Sequence, residues 1–151
     1  MEGDTMISFI LTGHGSFSEG MKGALEMIAG PQEQFEVVPF FENESLDQFE
    51  LKMNTAIQQV MGPEGILIFS DLMGGTPFRA AMLEAAKNEM ITVIAGTNLP
   101  LLIEATGLRF SEENATALAE KILPIGREGL VHPQLQLCQN ETTVEDMEEG
   151  I

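Results

Sequence analysis

Apolar and polar positions follow two different rhythms along this chain. Residues 6–11 form a short, nearly continuous apolar run, the pattern of a strand buried on both faces. From 16 to 29 the period changes: Phe17, Met21, Leu25 and Ile28 share one helical face, and Gly30-Pro31 stops it. Ser16 and Glu19 have the spacing of a capping box, which starts this helix just after His14. Residues 35–40 predict a second strand, placed at a sheet edge by Pro39. The clearest helix is 45–60, where Leu46, Phe49, Met53, Ile57 and Val60 recur at steps of three and four. A third strand follows at 65–70, and Thr76 as N-cap with Pro77 at the first helical position opens a third helix. Residues 90–95 predict a fourth strand. A last helix is expected from Ser111 to Leu123, halted by Pro124.

Strands alternating with helices at this spacing imply an α/β fold, a central parallel four-stranded sheet with helices on both faces. There is no internal repeat and no interdomain linker, so one domain is expected over residues 6–137. Residues 1–5 are polar and loop-like, with Met6 as an alternative start. Residues 138–151 read as a solvated, disordered tail: from 139 onward there are five acids (Glu141, Glu145, Asp146, Glu148, Glu149) and no base.

The charge narrows the function. The chain has 151 residues, 44% of them hydrophobic, with 24 Asp and Glu against 7 Lys and Arg, a formal net charge of −17. Without the five tail acids the body still carries 19 acids against those 7 bases, or −12. This balance argues against a nucleic-acid partner, which needs a basic face. No apolar run approaches the roughly 20 residues of a membrane span. Cys138 is the one cysteine, so there is no intrachain disulfide, and no basic n-region with an apolar h-region opens the chain; a cytoplasmic protein is the expectation.

In open parallel sheets ligands meet the loops at the carboxyl ends of the strands. Those loops read Thr12-Gly13-His14-Gly15 after the first strand, Asp71-Leu72-Met73-Gly74-Gly75-Thr76-Pro77 after the third, and Gly96-Thr97-Asn98-Leu99-Pro100 after the fourth. His14 is the only histidine within the strand-and-helix body. Asp71 ends an apolar strand, where an unpaired carboxylate is costly to bury. If strands one and three are neighbours, the Asp71 carboxylate holds the proton on one His14 ring nitrogen and leaves the other free as a nucleophile. Gly74, Gly75 and Thr76 at a helix start offer N–H groups and a hydroxyl to an anion such as phosphate. The plainer roles stay open beside these: His14 as a turn residue, Asp71 as a solvated strand-end acid, Thr76 as an N-cap alone. No GxxxxGK[ST] or GxGxxG fingerprint for nucleotides is present. His132 has no neighbouring Cys or His and reads as a surface or structural residue, not a metal ligand.

These residues resemble the IIA components of the mannose family of the bacterial phosphoenolpyruvate-dependent sugar phosphotransferase system. The resemblance spans residues 6–129. It rests on Ile10-Leu11-Thr12-Gly13-His14-Gly15, on residues 69–78 with Asp71 and Gly74-Gly75-Thr76-Pro77-Phe78, on residues 93–100, and on Gly126-Arg127-Glu128-Gly129. It implies that His14 accepts a phosphoryl group from phospho-HPr and passes it to a IIB component, making the chain a phosphotransferase with a phosphohistidine intermediate. Asp71 matches the acid that orients the histidine. Gly15, Gly74, Gly75 and Thr76 would hold the phosphoryl oxygens, without metal or cofactor. The resemblance further implies a homodimer formed by exchange of a C-terminal antiparallel strand, here residues 130–137, where Leu135 and Leu137 alternate with Gln134 and Gln136. Pro124 and Pro133 depart from the family pattern in that region. The membrane IIC and IID subunits are met only indirectly, and sugar choice lies in other subunits, so mannose, fructose, sorbose, amino sugars and gluconate all stay open.

Three alternatives remain beside this reading. A IIA-like subunit feeding a dihydroxyacetone kinase shares the histidine loop, although Gly-Gly-Thr-Pro-Phe at 74–78 favours sugar transport. A receiver domain phosphorylated on Asp71 needs an acidic pair after the first strand to hold Mg²⁺, and His14 stands there instead. A non-catalytic flavodoxin-like binding module is weakened by the missing nucleotide fingerprint.

Overall fold

The first strand is built from a buried run that continues further than its apolar residues. In a computed structural model, which describes residues 5–135, β1 covers Ser8–His14, so His14 is the last residue of the strand and not part of the following loop. Thr12, Gly13 and His14 keep pairing with Val38, Pro39 and Phe40, which carries the ladder past the last bulky apolar side chain. The other strands are β2 (Phe35–Phe40), β3 (Ile66–Ser70) and β4 (Ile91–Ala95). All pairings are parallel in the order β2-β1-β3-β4, so Pro39 does lie on an edge strand.

Among the described residues five helices cover the sheet: α1 (Phe17–Ala29), α2 (Leu46–Val60), α3 (Gly75–Lys87), α4 (Leu99–Leu108) and α5 (Ala115–Glu128). Alternate residues of the central strands feed two cores. Ile7, Phe9, Leu11, Leu67 and Phe69 face one layer with Leu25, Leu101, Leu102, Leu118 and Ile122, contributed by α1, α4 and α5. Ile10, Ile66 and Ile68 face the other with Phe49, Met53, Ile57, Ala80 and Ala81, from α2 and α3. Filling both faces is what demands the near-continuous apolar strands seen in the sequence. Each fully buried Leu, Ile or Phe of these layers contributes about 1.5–3 kcal/mol by leaving water. No helix among the described residues is long and apolar enough to cross a membrane.

Several expectations from the sequence are corrected. The Ser16/Glu19 capping box does not form: Ser16 sits at φ −93°, ψ 14° and makes no side-chain cap bond. An N-cap hydroxyl reaches the turn's N–H groups from an extended backbone, which Ser45 has and Ser16 lacks; the capping box is instead Ser45 with Gln48, at 3.1 Å and 2.9 Å. Pro124 does not stop the last helix, which starts at Ala115 and runs to Glu128 with Pro124 exposed inside it. The apolar face continues beyond it to Gly126, where an added Cβ would lie 2.8 Å from Leu101 Cδ1, so close packing outweighs one lost helical bond. α4 carries no helical signal in the sequence, because Leu-Pro-Leu-Leu-Ile has no polar side to mark a period. Of the expected C-terminal strand, residues 130–135 have no regular structure in this single chain, and 136–137 lie outside the described residues. So do residues 1–4 and the acidic segment 138–151.

At the amino ends of the strands one charged side chain is buried that the sequence gave no reason to single out. Arg109, 1% exposed, donates from Nε and Nη2 to the Ile7 carbonyl at 3.0 and 2.8 Å and from Nη2 to the Gln34 carbonyl at 2.8 Å. Nη1 reaches the Gln32 side-chain oxygen at 3.3 Å, and the guanidinium carbon stands 4.0 Å from the centre of the Phe9 ring. This residue ties the end of α4 to the start of β1 and to the turn before β2.

Candidate functional site

The chain order 2-1-3-4 reverses direction between β1 and β3, so a crevice opens at their carboxyl ends. His14 closes β1 on one side of it and Asp71 follows β3 on the other, and the two strands are direct neighbours. The condition for their meeting is therefore met. Asp71 Oδ2 accepts both the His14 backbone N–H, at 2.9 Å, and the ring Nδ1, at 2.8 Å. Oδ1 accepts the Leu72 N–H at 2.9 Å. Gly13 makes this approach possible: a Cβ there would lie 3.0 Å from Asp71 Cβ and Cγ and 2.7 Å from Phe17 Cδ2.

These contacts settle the electrostatics. Burial raises the Asp71 pKa, but the hydrogen bonds from the His14 backbone, the His14 ring and the Leu72 backbone together outweigh it and hold the carboxyl below its ordinary value. An ionised carboxylate only accepts, so the proton of a neutral His14 ring sits on Nδ1 and Nε2 keeps its lone pair. The imidazole is 48% exposed and packs edge-on against Phe40, with ring centres 6.0 Å apart. Phe40 is itself edge-on to Phe49 at 5.2 Å, which fixes the wall behind the histidine.

The free nitrogen points toward the start of α3. A Cβ on Gly75 would lie 3.0 Å from His14 Cε1 and 3.2 Å from Nε2, and Gly75 has φ +79°, so both space and backbone require glycine. Thr76 is not the N-cap: Gly74 takes that position without any side-chain cap, Gly75 is the first helical residue, Thr76 the second and Pro77 the third. α2, α4 and α5 are each capped by a side chain, from Ser45, Asn98 and Asn114. α3, like α1, has no side-chain cap, and its first amides face the His14 side of the crevice, which is an arrangement suited to an anion. Gly15 differs from the expectation that its amide holds phosphate, because its N–H is donated to the Phe40 carbonyl at 2.8 Å. Gly15 thus fixes the turn that leads from His14 into α1.

Sequence reasoning missed Phe40, Ser70 and Thr97. The Thr97 N–H and hydroxyl both bond the Ser70 carbonyl, at 3.2 and 2.8 Å, and fasten the loop after β4 to the end of β3. The one available signal was position, since all three stand at or just past strand ends. His132 is exposed, and among the described residues no three His, Cys, Asp or Glu are grouped to hold a metal.

Residues 8–123 match the family model EIIA-man, described as PTS system fructose IIA component. The PTS system fructose-specific EIIA component of Bacillus subtilis (strain 168) is 36% identical over 104 residues, 69% of this chain and 71% of that protein. The PTS system mannose-specific EIIAB component of Escherichia coli (strain K12) is 30% identical over 124 residues; these are 82% of this chain, which spans only 38% of that longer protein. Among solved structures, the phosphotransferase system component EIIA from Streptococcus agalactiae superposes with a TM-score of 0.78 at 31% identity, covering 84% of this chain and 97% of that one.

Proposed function

The chain belongs to the EIIA-man family of IIA components of the sugar phosphotransferase system, and on that premise we propose that His14 is the residue that carries its phosphoryl group. The observation that bears most on this is the pairing of Nδ1 with Asp71 at 2.8 Å, which leaves Nε2 as the nucleophile beside the uncapped start of α3. Both Asp71 oxygens already accept N–H donors, which suits an orienting acid better than a phosphate acceptor.

Transfer between two histidines needs positioning and charge stabilisation more than covalent help. The Nε2 lone pair attacks the phosphorus of phospho-HPr; the new N–P bond forms as the donor's N–P bond breaks, and that electron pair returns to the donor ring. Asp71 keeps the Nδ1 proton in place and compensates the charge the ring acquires. The Gly74, Gly75 and Thr76 amides, with the Thr76 hydroxyl, hold the phosphoryl oxygens. The reverse sequence delivers the group to a IIB component. A half-exposed ring on an open ledge suits protein donors and acceptors, and meeting HPr places this work in the cytoplasm.

The same reading makes the chain a homodimer with an exchanged C-terminal strand. Leu130, Val131 and Leu135 are 88%, 68% and 51% exposed, and among the described residues β4 is an edge strand. An apolar segment without a partner beside an unpaired edge fits a strand that forms only with a second copy.

Replacing His14 by Ala is expected to abolish acid-labile labelling from phosphoenolpyruvate, Enzyme I and HPr while the circular dichroism spectrum is retained. Labelling that persists in His14→Ala ends this reading.

A further inference from the structure

The body of this protein is strongly acidic, yet the site would have to hold a phosphoryl dianion a few ångströms from the Asp71 carboxylate. A nearby cation is therefore worth locating. The Cβ direction of Gly75 runs toward Nε2 of His14, because an atom there would lie 3.2 Å from that nitrogen. A residue four further along lies about one turn farther down α3, and helical side chains lean back toward the N-terminus. That residue is Arg79, which is exposed and makes no ion pair among the described residues.

The other bases are occupied or elsewhere. Lys52 is held by Glu44 and the Pro39 carbonyl, and Lys87 and Lys121 pair with Glu84 and Glu112. Arg109 is buried at the opposite end of the sheet. Lys22 lies over the ring of Phe35 at the start of β2, and Arg127 lines a cleft beside β4 at the sheet edge. Arg79 is the one base among the described residues on the opening turns of a helix that touches His14.

We infer that Arg79 is a phosphoryl-binding residue: its guanidinium grips two oxygens of the group on Nε2 while the α3 amides hold the third. This rests on the assignment of His14 as the phosphoryl carrier. A guanidinium fork matches two phosphoryl oxygens in one plane, which a lysine cannot reproduce fully.

The test compares wild type, Arg79→Gln and Arg79→Lys with two donors, phospho-HPr and potassium phosphoramidate, following phosphohistidine by ³¹P NMR. Phosphoramidate supplies the phosphoryl group with loss of ammonia and needs no docked protein. Arg79→Gln is expected to slow phosphorylation about tenfold or more with both donors, as befits one lost charge-assisted contact, and Arg79→Lys to recover part of it. Slowing with phospho-HPr alone assigns Arg79 to partner docking and overturns the inference, as do equal rates for all three proteins. If wild type takes no phosphoryl group from either donor, the His14 reading itself falls and this inference with it.

Discussion

The two ends of β1 hold polar side chains in opposite states. At its start the Arg109 guanidinium is buried and makes four hydrogen bonds, to the carbonyls of Ile7 and Gln34 and to the Gln32 side chain. Burial lowers its pKa to about 10, against a smaller opposing pull from Glu33. At its end, His14 is half exposed and only one ring nitrogen is engaged, by Asp71. A buried cation with four hydrogen bonds to the chain around it holds three segments together and is shut away from any substrate. An imidazole fixed through one nitrogen and bare at the other has that capacity and contributes little to the core. One strand thus separates stability from reactivity by its two ends.

Substitutions at each end test that separation. The largest effect is expected for Asp71→Asn, which donates where the carboxylate accepted and so favours the wrong ring tautomer. Transfer from phospho-HPr should fall about 100-fold or more, with unfolding free energy within about 1 kcal/mol of wild type at pH 7. An unchanged transfer rate would erase the contrast. The same variant has a pH signature. The Asp71 pKa is held below 3.8 in the fold, so its ionised form stabilises the protein above that value and the contribution is lost as pH falls through the lowered pKa. Acid unfolding followed by circular dichroism should be shallower below pH 3.8 in Asp71→Asn than in wild type.

Arg109→Met should do the reverse. Two buried carbonyls lose their side-chain donors, at a cost of about 3 kcal/mol and roughly 10 °C in melting temperature, with phosphoryl transfer at 20 °C unaltered. The chain has no Trp or Tyr, so calorimetry or far-UV circular dichroism is the suitable readout. A collapse of transfer in a folded Arg109→Met protein would show the two ends to be coupled. Gly75→Ala sharpens the picture at smaller scale, since it touches both properties. The added methyl crowds Nε2 and the residue must keep a positive φ, so about tenfold slower transfer and about 1 kcal/mol lower stability are expected together.

The end proposed to be reactive was legible from sequence as a cluster because its parts sit at strand ends: His14 after an apolar run, Asp71 after another, Gly74-Gly75 before a helix. The structural end was not. Arg109 follows α4, a helix hidden by its lack of a polar face, and it bonds residues 102 and 75 positions away in the chain. Local capping was legible in kind and misplaced in position. Ser16 and Thr76 look like caps by type, but the backbone at Ser16 is not extended, and Gly74 already holds the capping position before Thr76. Arg79 stands out only after Gly75 has been placed against the histidine ring.

The sequence by itself determined the alternation of strands and helices, because apolar period reports which face of each element must leave water. It also determined the chemical types available at the strand ends. Only the tertiary structure decided that β1 lies beside β3, that Nδ1 and not Nε2 meets Asp71, and that the first amides of α3 stay uncapped beside the free nitrogen. Strand order, ring orientation and helix docking depend on packing between segments far apart in the chain, and no local period carries that information.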